Sequence, residues 1–100
     1  MRLAGQIKGG HYPTPPISRA QIVRHLHYQE NVPVRLLDPC AGHAEAIIAA
    51  AKASPTPRTV EILAVENAVK HVNPCRWALE DSNLPHQFLH CGWEEVTMTA

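Results

Sequence analysis

Residues 34–42, with the sequence Val-Arg-Leu-Leu-Asp-Pro-Cys-Ala-Gly, constrain the fold of this chain more than any other stretch. An apolar run ends in the acid Asp38, a turn of small residues follows, and an alanine-rich segment covers residues 44–53. This order predicts a strand, a tight turn and a helix, the opening unit of nucleotide-binding α/β folds. Main-chain amides at such a turn lack intrahelical partners and carry positive partial charge, and Gly42 lets a ligand approach the backbone. The turn is therefore a candidate site for a polar, partly anionic small molecule.

Composition argues against several other classes of protein. The chain has 100 residues, of which 45% are hydrophobic, as in one small globular domain. No apolar run approaches the ~20 residues that span a bilayer, and the first residues lack the apolar core of a signal peptide. Nine basic and nine acidic residues balance, which leaves no basic excess for a nucleic-acid backbone. Three cysteines at unrelated spacings argue against a disulfide framework, so we expect a cytoplasmic, reduced protein without membrane contact.

The remaining segments alternate between helix and strand signals. Thr14 can cap a helix that has Pro15 at its first position and runs to about Tyr28. Further helices are predicted over residues 44–53 and after residue 67, the latter with a break and restart at Asn73 and Pro74. The predicted buried strands cover residues 34–37, 60–65 and 87–90.

This pattern predicts a single partial domain of the α/β class over residues 1–100. Residues 1–13 form an irregular lead-in, and residues 14–96 form a helix followed by a βαβαβ half. Right-handed crossovers then give a three-layer, Rossmann-like partial parallel sheet of about three strands, with helices on both faces.

Two acids follow the predicted strands. Glu66 lies 24 positions after Gly42, and in dinucleotide-type folds an acid ~20 residues after the glycine turn binds the ribose hydroxyls; the alternative is a solvated acid at a strand end. Asp38 needs partners for its oxygens. They are either the amides of Ala41 or Gly42, or a cationic group of a ligand, or both.

Three segments in order carry a resemblance to a known family. They are Gly-His-Tyr-Pro-Thr-Pro-Pro at residues 10–16, Leu-Leu-Asp-Pro-Cys-Ala-Gly at residues 36–42 and Ala-Val-Glu-Asn at residues 64–67. Over about residues 5–96 the chain resembles class I S-adenosylmethionine-dependent methyltransferases. It is most similar to DNA adenine amino-methyltransferases of a bacterial and phage group.

The resemblance implies S-adenosylmethionine as the cofactor and assigns roles to matching positions. An aromatic-x-Thr-Pro segment lies over the methionine end, an Asp-Pro-x-x-Gly turn cradles the amino-acid moiety, an acid holds the ribose, and an asparagine lies beside the adenine. In this order, the residues implied are Tyr12, Thr14 and Pro15, then Asp38, Pro39, Cys40, Ala41 and Gly42, then Glu66, and finally Asn67.

The chain departs from the family pattern at three places. Ala44 stands where the family has a second glycine, so its methyl group either crowds the cofactor or takes up an unfavourable backbone angle. Gly92 and its neighbours stand where an acid follows the third strand. The catalytic Asn/Asp-Pro-Pro-aromatic motif belongs after a fourth strand, which the sequence does not reach, and Asn73-Pro74 lacks the second proline and the aromatic residue. No catalytic residue is therefore assigned.

Three functional hypotheses remain open. The first is the cofactor-binding portion of a DNA adenine methyltransferase, inactive alone, that meets nucleic acid only through a missing or separate region. We then expect a truncated product, a fragment or a subunit, whose open sheet edge self-associates or is completed by another chain. The second is a non-catalytic relic or interaction module without cofactor binding, and the third, less favoured, is a nicotinamide-binding module.

The other chemically interesting side chains receive structural interpretations. The histidines and cysteines lack metal-site spacing, so no metal ligand is assigned. His43 is expected to face solvent, and Trp77 and Trp93 are expected to pack against the sheet.

Overall fold

The computed structural model describes residues 15–97 of the chain. Three helices and three strands alternate through it, with short 3-10 turns at Pro57–Thr59 and Trp93–Glu95. In chain order the elements are α1 (Pro16–Arg24), β1 (Val34–Asp38), α2 (Glu45–Lys52), β2 (Val60–Glu66), α3 (Val69–Ser82) and β3 (His86–His90). None of the helices within this range is long and apolar enough to cross a membrane.

The strands form one parallel sheet in the order β1-β2-β3. Leu36 lies opposite Ile62, and Ala64 lies opposite Phe88, so the apolar positions of the three strands share one face. The predicted α/β class and the three-stranded parallel sheet of a partial Rossmann-like fold are confirmed.

The helices of the described region pack on one face of this sheet. Ile47 of α2 and Leu79 of α3 belong to the same buried cluster as Val60 and Ile62 of β2, and α1 contacts α2. The expectation of helices on both faces differs from this arrangement. Strand order β1-β2-β3 advances in one direction, and right-handed crossovers then place both connecting helices on the same side.

The opposite face of the sheet carries a polar row and exposed leucines. Arg35 Nε donates to Glu61 Oε1 at 3.3 Å, and Gln87 Nε2 donates to Glu61 Oε2 at 3.1 Å. These two hydrogen bonds hold the pKa of Glu61 below its usual value, and the bond from Gln87 has the larger effect. Leu37 and Leu89 on this face remain exposed to solvent.

Helix α1 is shorter than the sequence pattern predicts. Pro15 is its N-cap and Pro16 its first residue, and the helix ends at Arg24 rather than near Tyr28. Ile22 is exposed, so its apolar stripe gains little burial that would extend the helix. Tyr28 lies beyond the helix end and donates its hydroxyl to the carbonyl oxygen of Ala50 at 2.6 Å.

The predicted break at Asn73 and Pro74 is wrong, because α3 runs through Pro74 without interruption. A proline inside a helix removes one main-chain hydrogen bond and costs about 3 kcal/mol. The buried stripe of His71, Cys75 and Leu79, at a spacing of four residues, offsets this cost by packing the helix on the sheet.

Candidate functional site

The candidate site lies where β1 and β2 end. The carboxyl ends of parallel strands share one edge of a sheet, which is where α/β folds bind ligands. The turn after β1 is joined to β2 directly, since the main-chain N–H of Ala41 donates to the carbonyl oxygen of Val65 at 2.8 Å. The turn and the end of β2 therefore form one unit.

Glu66 is the centre of this unit and is only 8% exposed. Its Oε1 accepts the main-chain N–H of Gly42 at 2.7 Å, and its Oε2 accepts that of Ala68 at 2.8 Å. The carboxylate thus points into the glycine turn and does not project into solvent. An ionised carboxylate offers about four acceptor positions, so two remain after the bonds made within residues 15–97.

The turn uses left-handed backbone conformations at two residues. Gly42 has φ of 56°, a conformation for which glycine has no steric penalty. Ala44 has φ of 65° and ψ of 12°, which costs a residue with a side chain roughly 1–2 kcal/mol. Ala44 is fully buried in the core cluster, and its main-chain carbonyl accepts the first helical bond of α2, from Ile48 N–H at 3.0 Å. Of the two costs expected for Ala44, the unfavourable backbone angle is the one observed.

Asp38 has a local role in the described structure. Its Oδ1 accepts the main-chain N–H of Cys40, two residues on, at 3.0 Å, as in an Asx turn. The amides of Ala41 and Gly42, the partners considered from the sequence, donate instead to Val65 and Glu66. Pro39 and Cys40 lie within this turn.

The other sequence-predicted residues are distributed around this edge. Tyr12 and Thr14 lie outside the described residues. Pro15 is exposed at the start of α1. Asn67 follows Glu66 directly, and its carbonyl oxygen lies 3.3 Å from His90 Nε2. The structure thus brings Glu66 to the turn that contains Gly42, whereas Asn67 contacts His90 at the end of β3.

The end of β3 contributes acids that the sequence pattern did not assign. Gly92 N–H donates to Glu95 Oε1 at 2.8 Å, and the Glu94 carboxylate lies where a side chain on residue 92 would stand. The sequence feature that could have indicated these contacts is the acidic pair Glu94 and Glu95, which begins two residues after Gly92. Trp93, expected to pack on the sheet, is 45% exposed, and Trp77 is 63% exposed.

A pair of histidines is the second feature that sequence reasoning missed. His43 Nε2 lies 3.1 Å from His71 Nδ1, and the two rings meet edge to face with centroids 5.0 Å apart. His43 is half-buried and contacts His71, whereas the sequence suggested a solvent-facing residue. No local signal joins residues 28 positions apart, since only the packing of α3 beside the turn brings them together.

The comparison with known families decides the class of the chain. A model described as an uncharacterised methyltransferase family (DUF6094) matches residues 1–57, which is more than half of the sequence. The chain belongs to this methyltransferase family. The match includes β1, the glycine turn and α2, whereas Glu66 and Asn67 lie beyond it. No curated protein and no solved structure matches the chain.

The geometry defines what this methyltransferase-family site can do chemically. A buried carboxylate with two unused acceptor positions can bind hydroxyl groups of a sugar. Gly42 has no side chain of its own, which allows a ligand to approach its main chain. Burial, followed by the charges of Glu66 and Asp38, raises the pKa of Cys75 behind the site to about 11. Cys75 is thus a neutral thiol at physiological pH.

Proposed function

We propose that the chain binds S-adenosylmethionine at the carboxyl ends of β1 and β2. It would do so as the cofactor-binding portion of a DNA adenine methyltransferase-like protein. The observation that carries the proposal is the Glu66 carboxylate held against the glycine turn. Membership of a methyltransferase family supports a methyl-donor cofactor.

The donor and acceptor groups of the turn fit this cofactor. The two unused acceptor positions of Glu66 suit the ribose 2′ and 3′ hydroxyls, which form a bidentate pair. Gly42 carries no side chain, and the methionine end would lie along its main chain, near the positive N-terminal end of α2. The exposed Asn67 follows Glu66 directly and would contact the adenine.

The proposal assigns binding and orientation, rather than catalysis, to the residues of this chain. S-adenosylmethionine supplies an electrophilic methyl group on its sulfonium. Transfer to an adenine amine also needs acceptors that bind the amine and a pocket for the flipped base. The 100 residues contain no Asn-Pro-Pro-aromatic motif, and we propose that another region or another chain provides these groups and the contacts with nucleic acid.

A second candidate function has its own support. Both Glu66 oxygens already bond to main-chain amides, and Ala44 holds a strained angle at a position where the family resemblance implies glycine. These observations favour a domain whose carboxylate holds the loops together without cofactor. In that case the chain is an interaction module that kept the fold.

Calorimetric titration of S-adenosylmethionine into the purified chain separates the two functions. We expect saturable binding that Glu66→Gln weakens by about tenfold or more, since a charged hydrogen-bond acceptor contributes about 1.5–3 kcal/mol. Glu61→Gln is the matched control, because Glu61 is an acid on the same strand that faces the opposite side of the sheet. Absence of heat and of any thermal shift from a folded wild-type chain would establish the second function.

A further inference from the structure

We propose that His71 is a positioning residue for the cofactor turn and that it acts through His43. The inference rests on the proposed function, because it makes binding of S-adenosylmethionine depend on the protonation state of this histidine pair. His71 holds His43 in place, and His43 belongs to the turn itself.

The first step is the position of His43 in the chain. It lies between Gly42 and Ala44, whose φ angles are 56° and 65°. Glycine adopts such an angle without penalty, whereas the left-handed angle of Ala44 is held by its surroundings and not by its own backbone preference. A side-chain contact at its middle residue therefore helps to fix the whole turn.

The second step is the anchorage of His71. This residue is 7% exposed, and its main-chain N–H donates to the carbonyl oxygen of Ala68 at 2.9 Å. Ala68 in turn donates its N–H to Glu66, which also accepts that of Gly42. The start of α3 therefore holds the glycine turn at two neighbouring points, through a carboxylate and through an imidazole.

The third step is the chemistry of the 3.1 Å contact between His43 Nε2 and His71 Nδ1. A hydrogen bond between two imidazole nitrogens needs one N–H and one lone pair. Neutral rings, or a pair that carries one extra proton, meet this requirement. When both rings are protonated neither nitrogen has a lone pair, and two positive charges face each other.

The fourth step is the charge around the pair. The groups that line the same surface cavity as His43 come from all three helices, and they are Arg19, Glu45, Lys52 and Asp81. Within residues 15–97 these are two cations and two anions, and Arg19 lies 4.0 Å from Glu45. On the other side Glu66 is engaged by main-chain amides.

A substitution series at residue 71 tests the inference. His71→Asn keeps a group that can donate or accept near the Nδ1 position but does not titrate, whereas His71→Ala removes the contact. His27→Asn is the matched control, because His27 is exposed. Affinity for S-adenosylmethionine is measured by calorimetry at about pH 7.5 and about pH 5.5, on either side of the histidine range.

The expected results differ among the variants. Wild type and His27→Asn lose affinity at the lower pH to the extent that both rings become protonated, His71→Asn stays nearly constant, and His71→Ala binds weakly at both values. Imidazole NMR without cofactor gives a second readout. His43 and His71 titrate as a coupled pair in the wild type, and His43 titrates in a single step in His71→Asn.

The outcomes separate this inference from the proposed function. A folded wild type that does not bind at about pH 7.5 overturns the proposed function and, with it, the dependence of binding on the pair. Binding with the same pH slope in wild type and His71→Asn, or independent titration of the two rings, overturns only the inference. If His71→Ala fails to fold, the comparison with His71→Asn still decides.

Discussion

Asp38 and Glu66 are acids at the ends of neighbouring parallel strands, yet they do different work. Asp38 accepts one main-chain N–H from its own turn, two residues away. Glu66 is buried and joins two loops, since it accepts the N–H of Gly42, 24 residues away in sequence, as well as that of Ala68. The difference shows that position at a strand end does not define a role. The number and origin of the amides that an acid accepts define it.

Removal of the Glu66 carboxylate is expected to have the largest effect on the free energy of unfolding. Glu66→Ala leaves two main-chain amides without their charged acceptor, and we expect the free energy of unfolding to fall by about 3 kcal/mol. Glu66→Gln keeps one acceptor oxygen and should lose about half as much. Urea denaturation measures both variants. If Glu66→Ala lost no more unfolding free energy than Asp38→Ala, the distinction between the two acids would be wrong.

Gly42→Ala tests the turn to which Glu66 is bonded. The φ of 56° at Gly42 puts an alanine in the left-handed region, and we expect a loss of roughly 1–2 kcal/mol in unfolding free energy. Ala44→Gly is the partner experiment, also by urea denaturation. Relief of the strain at 65° opposes the loss of a buried methyl group, worth about 0.8 kcal/mol, so the net change should stay under about 1 kcal/mol. A neutral Gly42→Ala would show that the turn adopts another conformation.

Asp38→Ala is expected to have a smaller effect than either Glu66 variant. It removes one hydrogen bond to Cys40 within an exposed turn, and a loss of about 1 kcal/mol follows. Thermal unfolding of the single and double variants with Glu66→Ala gives a double-mutant cycle. Because the two acids accept different amides, the two losses should add within about 0.5 kcal/mol; strong coupling would mean that both acids hold one common structure.

The pKa of the Cys75 thiol responds to the charges of both acids, and this is the smallest of the expected effects. Burial, then Glu66, then Asp38 raise its pKa from 9.0 to about 11. The folded state thus favours the neutral thiol, so this contribution to stability is complete below pH 9 and is lost as the pH rises to 11. Thiolate absorbance, with Cys40 and Cys91 replaced by alanine, should show a lower pKa in Glu66→Gln and a smaller decrease in Asp38→Asn. The reverse order would contradict their relative placement.

The sequence predicted those parts of the fold that depend on local pattern. The apolar runs ending at Asp38 and Glu66 gave the strands, and the turn before α2 followed from Gly42 and its small neighbours. Features that depend on tertiary packing were missed. Burial of the α3 stripe overrode the breaking tendency of Pro74.

The same limit applies to the candidate site. Its position was predictable, because the carboxyl ends of parallel strands meet at one edge. The acceptance of Gly42 N–H by Glu66 and the contact of His43 with His71 join residues far apart in sequence. No periodicity or spacing rule encodes such pairs, since they depend on how closely α3 approaches the turn.

The bond from Ala41 N–H to the Val65 carbonyl has a consequence for how the turn moves. It extends the hydrogen bonding between β1 and β2 past the last residue of β1, so the first half of the turn shares the rigidity of the sheet. Its amide proton should exchange with solvent as slowly as those of the central strand. If the turn rearranges when a ligand binds, we expect the change after Ala41 rather than before it.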